Sequence, residues 1–152
     1  MSNIRTANSF DLDALAVLLN DYRVFYQQDS DEAACRGFLH KRLERGDSCL
    51  LVHDAGHGPD GFVQLYAMLS TVSLASRWLL NDLFVAPQAR GRGIGRALMQ
   101  AATARAQEHG ASSLMLRTQT HNHAAKALYE SLGWQKNEAF DTYLLSVPGS
   151  GS

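Results

Sequence analysis

Leu12, Leu15, Leu19, Tyr22 and Tyr26 recur at steps of three and four residues, the spacing of one helical face, and predict a helix over 10–27 behind a short first strand at 3–7. Ser30 followed by Asp31 and Glu32 reads as a second helix start, with acids in the turn where the helix dipole favours them. Gly46 is its stop, after Leu39, Leu43 and Arg45. Two β-type runs, 48–53 and 61–69, flank the turn-rich stretch from Asp54 to Gly61 and predict an antiparallel hairpin whose second strand carries Gln64 and Tyr66.

Residues 77–85 are dense in Leu, Phe and Val and predict a central strand that ends before Pro87, which has no N–H to give a ladder. A helix is expected over 93–109, with Ile94, Leu98, Ala101 and Ala102 inward and Gly110 as its stop. Then come a short buried strand, Leu114-Met115-Leu116-Arg117, a helix over 122–132 ending at Gly133, and a last strand over 140–147. The order is mixed α/β, and residues 148–152 are a flexible tail by composition.

The chain has 152 residues, a common size for one domain, which is expected over 1–147. With 45% apolar and 19% charged residues and no apolar run near the roughly 20 residues that span a bilayer, it reads as a soluble protein without a membrane role. The first ten residues lack a basic segment followed by an apolar stretch, so the expected location is the cytoplasm. A net charge of −1 gives no broad field for nucleic acid. Cys35 and Cys49 have no metal-type spacing and read as reduced, half-buried small residues. The six histidines lack an accompanying ligand set, so no metal is expected.

The sharpest chemical signal is Arg90-Gly91-Arg92-Gly93-Ile94-Gly95-Arg96, between the end of a buried strand and the start of a helix. Bare amides and the positive end of the helix dipole attract phosphate there, and glycines let a ligand approach the backbone. A Walker A loop needs a Gly-Lys-Ser/Thr ending, which is absent, and a dinucleotide G-x-G-x-x-G needs glycine where Arg96 stands. Three arginines without interleaved aromatics also make a poor nucleic-acid footprint.

What is present, Arg-x-x-Gly-x-Gly, resembles the coenzyme A pyrophosphate loop of the GNAT superfamily of N-acetyltransferases. The segment from Asn122 through Ala125 and Tyr129 to Gly133-Trp134 is similar to the superfamily's signature of an asparagine opening a helix and a tyrosine before a Gly-aromatic turn. Asn122 and Tyr129 are seven residues apart, two helical turns, and share one face. The strand Trp78-Leu79-Leu80-Asn81-Asp82-Leu83-Phe84-Val85 also resembles the superfamily, particularly its small-amine/polyamine and histone/polyamine acetyltransferase-like branch. Residues 77–147 carry the resemblance, whereas 1–76 match only in the order of elements.

The resemblance implies one mostly antiparallel central sheet of six to seven strands flanked by four helices, and acetyl-CoA as cosubstrate. Its acetyl group would pass directly to a primary amine of a small molecule. Tyr129 would protonate the departing thiolate and Asn122 would contact the pantetheine arm. The amides of Leu83, Phe84 and Val85 would pair with that arm, one of them stabilising an oxyanion. A homodimer through the last strands is also implied.

An amine with a pKa of about 10.4 must lose a proton before it attacks, at about 4 to 5 kcal/mol at pH 7. Many relatives have a glutamate where this chain has Asn81, and an amide is no base. Regular alternation sends the adjacent Asp82 to the opposite face unless a bulge turns it. Tyr22, Tyr26, Asp29, Gln64 and Tyr66 are the candidate substrate contacts, with Asp31 and Glu32 beside them. The competing functions are a protein lysine or N-terminal acetyltransferase and a non-catalytic acetyl-CoA-binding module.

Overall fold

The computed structural model describes residues 3–149, so most of the tail expected at 148–152 lies outside the described residues. The chain forms two compact units, one reaching to Arg117 and one beginning at Thr118.

In the first unit, strand β1 (Ile4–Thr6) leads into helix α1 (Leu12–Phe25). This helix is shorter than the expected 10–27. Asn8 closes a capping box on a 3-10 turn at Ser9–Asp11, and Gln27 takes a left-handed φ of 66°. Helix α2 (Glu32–Arg45) starts where Asp31 accepts from the Ala34 amide and stops at left-handed Gly46. Strands β2 (Cys49–His53), β3 (Gly61–Ser70) and β4 (Ala75–Val85) follow, then helix α3 (Ile94–Glu108) and strand β5 (Ser113–Met115). β4 begins two residues before expected because it pairs with β3 back to the turn at 71–74.

The sheet runs β1-β2-β3-β4-β5, antiparallel except for the parallel β4–β5 pair. β5 is shifted from 114–117 and is half-buried to exposed rather than buried.

The alternation of β3 separates the two faces. A Cβ built on Gly61 would meet Ile94 Cγ2 and Leu98 Cδ1, each at 3.3 Å, so that face carries α3 at close approach. Neighbouring Phe62 points the other way and meets Tyr22 of α1, ring centroids 5.9 Å apart. Leu51, Val63, Leu65, Leu98, Met99 and Ala102 fill the α3 side, all at or below 1% exposure. Cys35 is buried and Cys49 half-buried, and both are free thiols.

The second unit contains helix α4 (His123–Ser131) and an irregular segment. The strand expected at 140–147 is not formed, so five strands stand among the described residues rather than six to seven. Phe140, Tyr143, Leu144 and Leu145 are 80–91% exposed. β propensity expresses a fit to neighbouring strands, and this unit holds no other strand among the described residues to take up their backbone groups.

Candidate functional site

The central feature of the first unit is a bulge in β4. Gln64 pairs with Asp82 but Leu65 pairs with Leu80, so Asn81 is the extra residue. Upstream of it Trp78 and Leu80 are buried on the α3 face, Trp78 meeting His109 beyond the end of α3. Downstream the parity reverses, and Phe84 meets Tyr22 on the opposite face. Asn81 and Asp82 therefore lie on the same side, with Asn81 Nδ2 donating to Asp82 Oδ2 across 2.9 Å. The bulge overturns the opposite-face expectation for Asp82.

Asp82 is half-buried and also accepts from Gln64 Nε2 at 3.3 Å. Gln64, expected as a substrate contact, is 2% exposed and is held from behind by the Ser48 hydroxyl, which donates to its Oε1 at 2.9 Å. Tyr66 lies two residues along the same face. Burial, reinforced by the nearby Asp82 charge, raises its phenol above the usual tyrosine range. Arg42 opposes that shift and is itself paired with Asp47 at 2.7 Å. Ser48, Arg42 and Asp47 were not foreseen, since they meet this wall only through strand pairing and the end of α2.

Tyr22 joins Tyr26, Phe62 and Phe84 in edge-on ring contacts with centroids 5.1 to 5.9 Å apart. This places Tyr22 and Tyr26 on the Asp82 face of the sheet. Asp29 stands apart in the exposed α1–α2 connection, where its carbonyl accepts from Arg23. Asp31 is committed to capping α2.

Beyond β4 the loop turns through Gly91 and Gly93, at φ 80° and 76°, angles that an L side chain rarely adopts. No atom lies within 4 Å of a Cβ built at either position, so both face open space. Gly93 opens α3 with no side-chain cap and no acid in the first turn, leaving its positive end open to an anion. Arg90 braces the loop, its Nε donating to the Val85 carbonyl at 3.0 Å and its guanidinium lying 5.4 Å from the Phe84 ring centre. Arg92 is exposed, as is Arg96 in the first turn, Gly95 is half-buried, and Ile94 is buried against the sheet. β5 pairs only with Arg77, Trp78 and Leu79, so Leu83, Phe84 and Val85 have no strand of the described first unit on their second edge.

In the second unit Asn122 caps α4, its Oδ1 accepting from the Ala125 amide at 3.2 Å. Tyr129 is half-buried two turns later, its ring centroid 6.4 Å from that of Trp134. Its carbonyl accepts from the Trp134 amide at 3.1 Å across the left-handed Gly133. Among the described residues no three His, Cys, Asp or Glu side chains converge as a metal site, and no helix is long and apolar enough to cross a membrane.

The sequence matches the family model described as Acetyltransferase (GNAT) family over residues 12–134. It is 43% identical over 146 residues to an uncharacterized N-acetyltransferase of Bacillus subtilis, YhfO, covering 96% of this chain and 98% of that protein. A streptothricin acetyltransferase of Streptomyces lavendulae is 38% identical over 77 residues, 51% of this chain and 41% of that protein. The fold matches the crystal structure of a probable acetyltransferase with a TM-score of 0.88 and 36% identity, covering 95% of this chain and 97% of that one. The uncapped glycine loop agrees with these likenesses, and the chain belongs to the GNAT family of acetyltransferases.

Proposed function

We propose that this GNAT N-acetyltransferase moves the acetyl group of acetyl-CoA directly onto a primary amine of a small molecule, with Asp82 accepting the amine's proton. The observation that carries the reading is the bulge at Asn81, which sets a carboxylate on the same face of the sheet as the aromatic Tyr22–Tyr26 cluster. An acidic group and aromatic rings on one face suit a cationic amine before it is deprotonated. The streptothricin acetyltransferase likeness supports a small-molecule acceptor, as its name indicates one for that protein.

The loop fits the diphosphate of coenzyme A. Gly91 and Gly93 keep the backbone uncrowded, the end of α3 is uncapped, and Arg92 is exposed without an acidic partner among the described residues. The amides of Leu83, Phe84 and Val85 would hold the pantetheine arm as an added strand, and Asn122 and Ala125 are assigned to the same arm from the signature they match. Bound acetyl-CoA supplies an acyl group already activated as a thioester.

No enzyme nucleophile is required, because a positioned neutral amine attacks on its own. The N–C bond forms as the C–S bond breaks. Asp82 takes the nitrogen's proton and Tyr129 gives one to the departing sulfur. Homodimer formation belongs to the same proposal. It is supported by the exposed apolar positions of residues 140–147, and light scattering tests it.

Thiol release from acetyl-CoA, followed across polyamines, amino acids, aminoglycoside-type amines and peptides, tests the function. Turnover with a small amine is expected. Turnover confined to peptides would move the acceptor to protein, and tight coenzyme binding without turnover on any amine would leave a binding module.

A further inference from the structure

Only two polar side chains are fully buried among the described residues, Asp11 and Gln64. Asp11 is accounted for by Arg5 and by the capping box. Gln64 sits on a central strand where an apolar residue of similar volume would avoid the cost of burying an amide, so its partners are informative.

Those partners give the amide a direction. The Asp82 carboxylate can only accept, so the NH2 end of Gln64 must face it, as the 3.3 Å contact to Oδ2 shows. The carbonyl end then faces Ser48, whose hydroxyl donates at 2.9 Å. A chain of two bonds thus runs from Ser48, just before β2, through β3 to Asp82 on β4. Asn81 Nδ2 ends on the same oxygen, Oδ2, at 2.9 Å, whereas Oδ1 accepts from none of the described residues.

We propose that Gln64 is a positioning residue. Held by Ser48, it anchors Oδ2 of Asp82 and turns Oδ1 toward the proton that leaves the acceptor amine. The inference rests on the acetyl-transfer reading and deepens it. As the N–C bond forms, the nitrogen's proton passes to Oδ1, making Asp82 a neutral acid until water removes the proton. Gln64 touches neither substrate and loses no proton. Its effect is to keep one carboxylate rotamer populated in a strand segment already freed from regular alternation by the bulge.

Gln64→Met keeps the length and removes both polar groups. It should lower kcat about tenfold while leaving the KM for acetyl-CoA within twofold. Ser48→Ala should act in the same direction but less, and Ser48→Thr should retain activity. In an Asp82→Asn background, Gln64→Met should cost less than a further twofold, because the residue it orients is gone. An undiminished cost in that background, or an unchanged kcat in the single variant, overturns the inference. A melting curve checks that Gln64→Met folds, and if it does not, Ser48→Ala carries the same cycle.

A readout free of turnover is the crystal structure of Gln64→Met. Asp82 should occupy more than one rotamer on an unmoved backbone, and a single unmoved rotamer overturns the inference. If the wild-type protein releases no thiol with any amine, the acetyl-transfer reading fails, and this structure still decides whether Gln64 orients Asp82.

Discussion

Asn81 donates from Nδ2 to Oδ2 of Asp82 across 2.9 Å, a contact between consecutive strand residues that a regular strand forbids. The extra residue in β4 makes it possible, and in the proposed reaction the two side chains have different parts. The amide can orient but cannot take a proton at neutral pH, whereas the carboxylate can. Asp82→Asn should therefore lower kcat by about 100- to 1,000-fold, the usual scale for a lost general base. Asn81→Ala should cost under about tenfold, as loss of one orienting hydrogen bond. Thiol release under saturating acetyl-CoA measures both, and equal losses would contradict the division.

Gly93 opens α3 at φ 76° with open space around its missing Cβ. Gly93→Ala should cost about 1 to 2 kcal/mol of stability from backbone strain alone, and should weaken acetyl-CoA binding because the loop must turn to relieve it. Gly37 lies inside α2 with equally open space and no left-handed φ, so Gly37→Ala should stabilise by about 0.5 to 1 kcal/mol and leave coenzyme binding unchanged. Chemical unfolding and calorimetry with coenzyme A separate the two responses.

Tyr129→Phe removes one hydroxyl and keeps the ring beside Trp134. If Tyr129 protonates the leaving thiolate, kcat should fall by about tenfold or more while the Kd for coenzyme A changes by less than about threefold. Loss of affinity at unchanged kcat would assign Tyr129 to binding and packing instead.

Arg5 ties the first strand to two carboxylates, at 2.8 Å from Asp11 and 2.8 Å from Asp54. Its guanidinium is the main cause that holds Asp11 below the usual carboxylate range. For Asp54 the Gly56 amide is the main cause and Arg5 the next. A carboxylate with a lowered folded pKa adds stability that is complete above its unfolded value of about 3.9 and is lost as pH falls through the folded one. Arg5→Met should therefore cost about 1 to 2 kcal/mol at pH 6, allowing for the 40% exposure of Arg5, and the difference from wild type should shrink below about pH 4. A difference that stays constant down to pH 3 would show that packing of the arginine stem, not charge, is responsible.

The helices were legible because their signals are local. Gly46 and Gly110 stop α2 and α3, Asn122 caps α4, and the period of Leu12, Leu15 and Leu19 marks α1. The loop at 90–95 was legible for the same reason, since its glycines and the helix start are contiguous in the chain. The strand expected at 140–147 failed where a local signal is weakest, because a strand is completed only by a neighbour that residue preferences do not supply.

By itself the sequence determined the order of elements as far as α4, the glycine loop at the start of α3 and the family, through motifs whose residues lie a few positions apart. Only the tertiary structure decided that Asp82 lies on the same face of the sheet as Asn81, Tyr22 and Tyr26. That choice depends on β3 pairing Gln64 with Asp82 and Leu65 with Leu80, a register that no stretch of β4 encodes alone. It also decided that Gln64 is buried and tied to Ser48, because a hydrogen bond between residues sixteen apart exists only once β2 and β3 are paired.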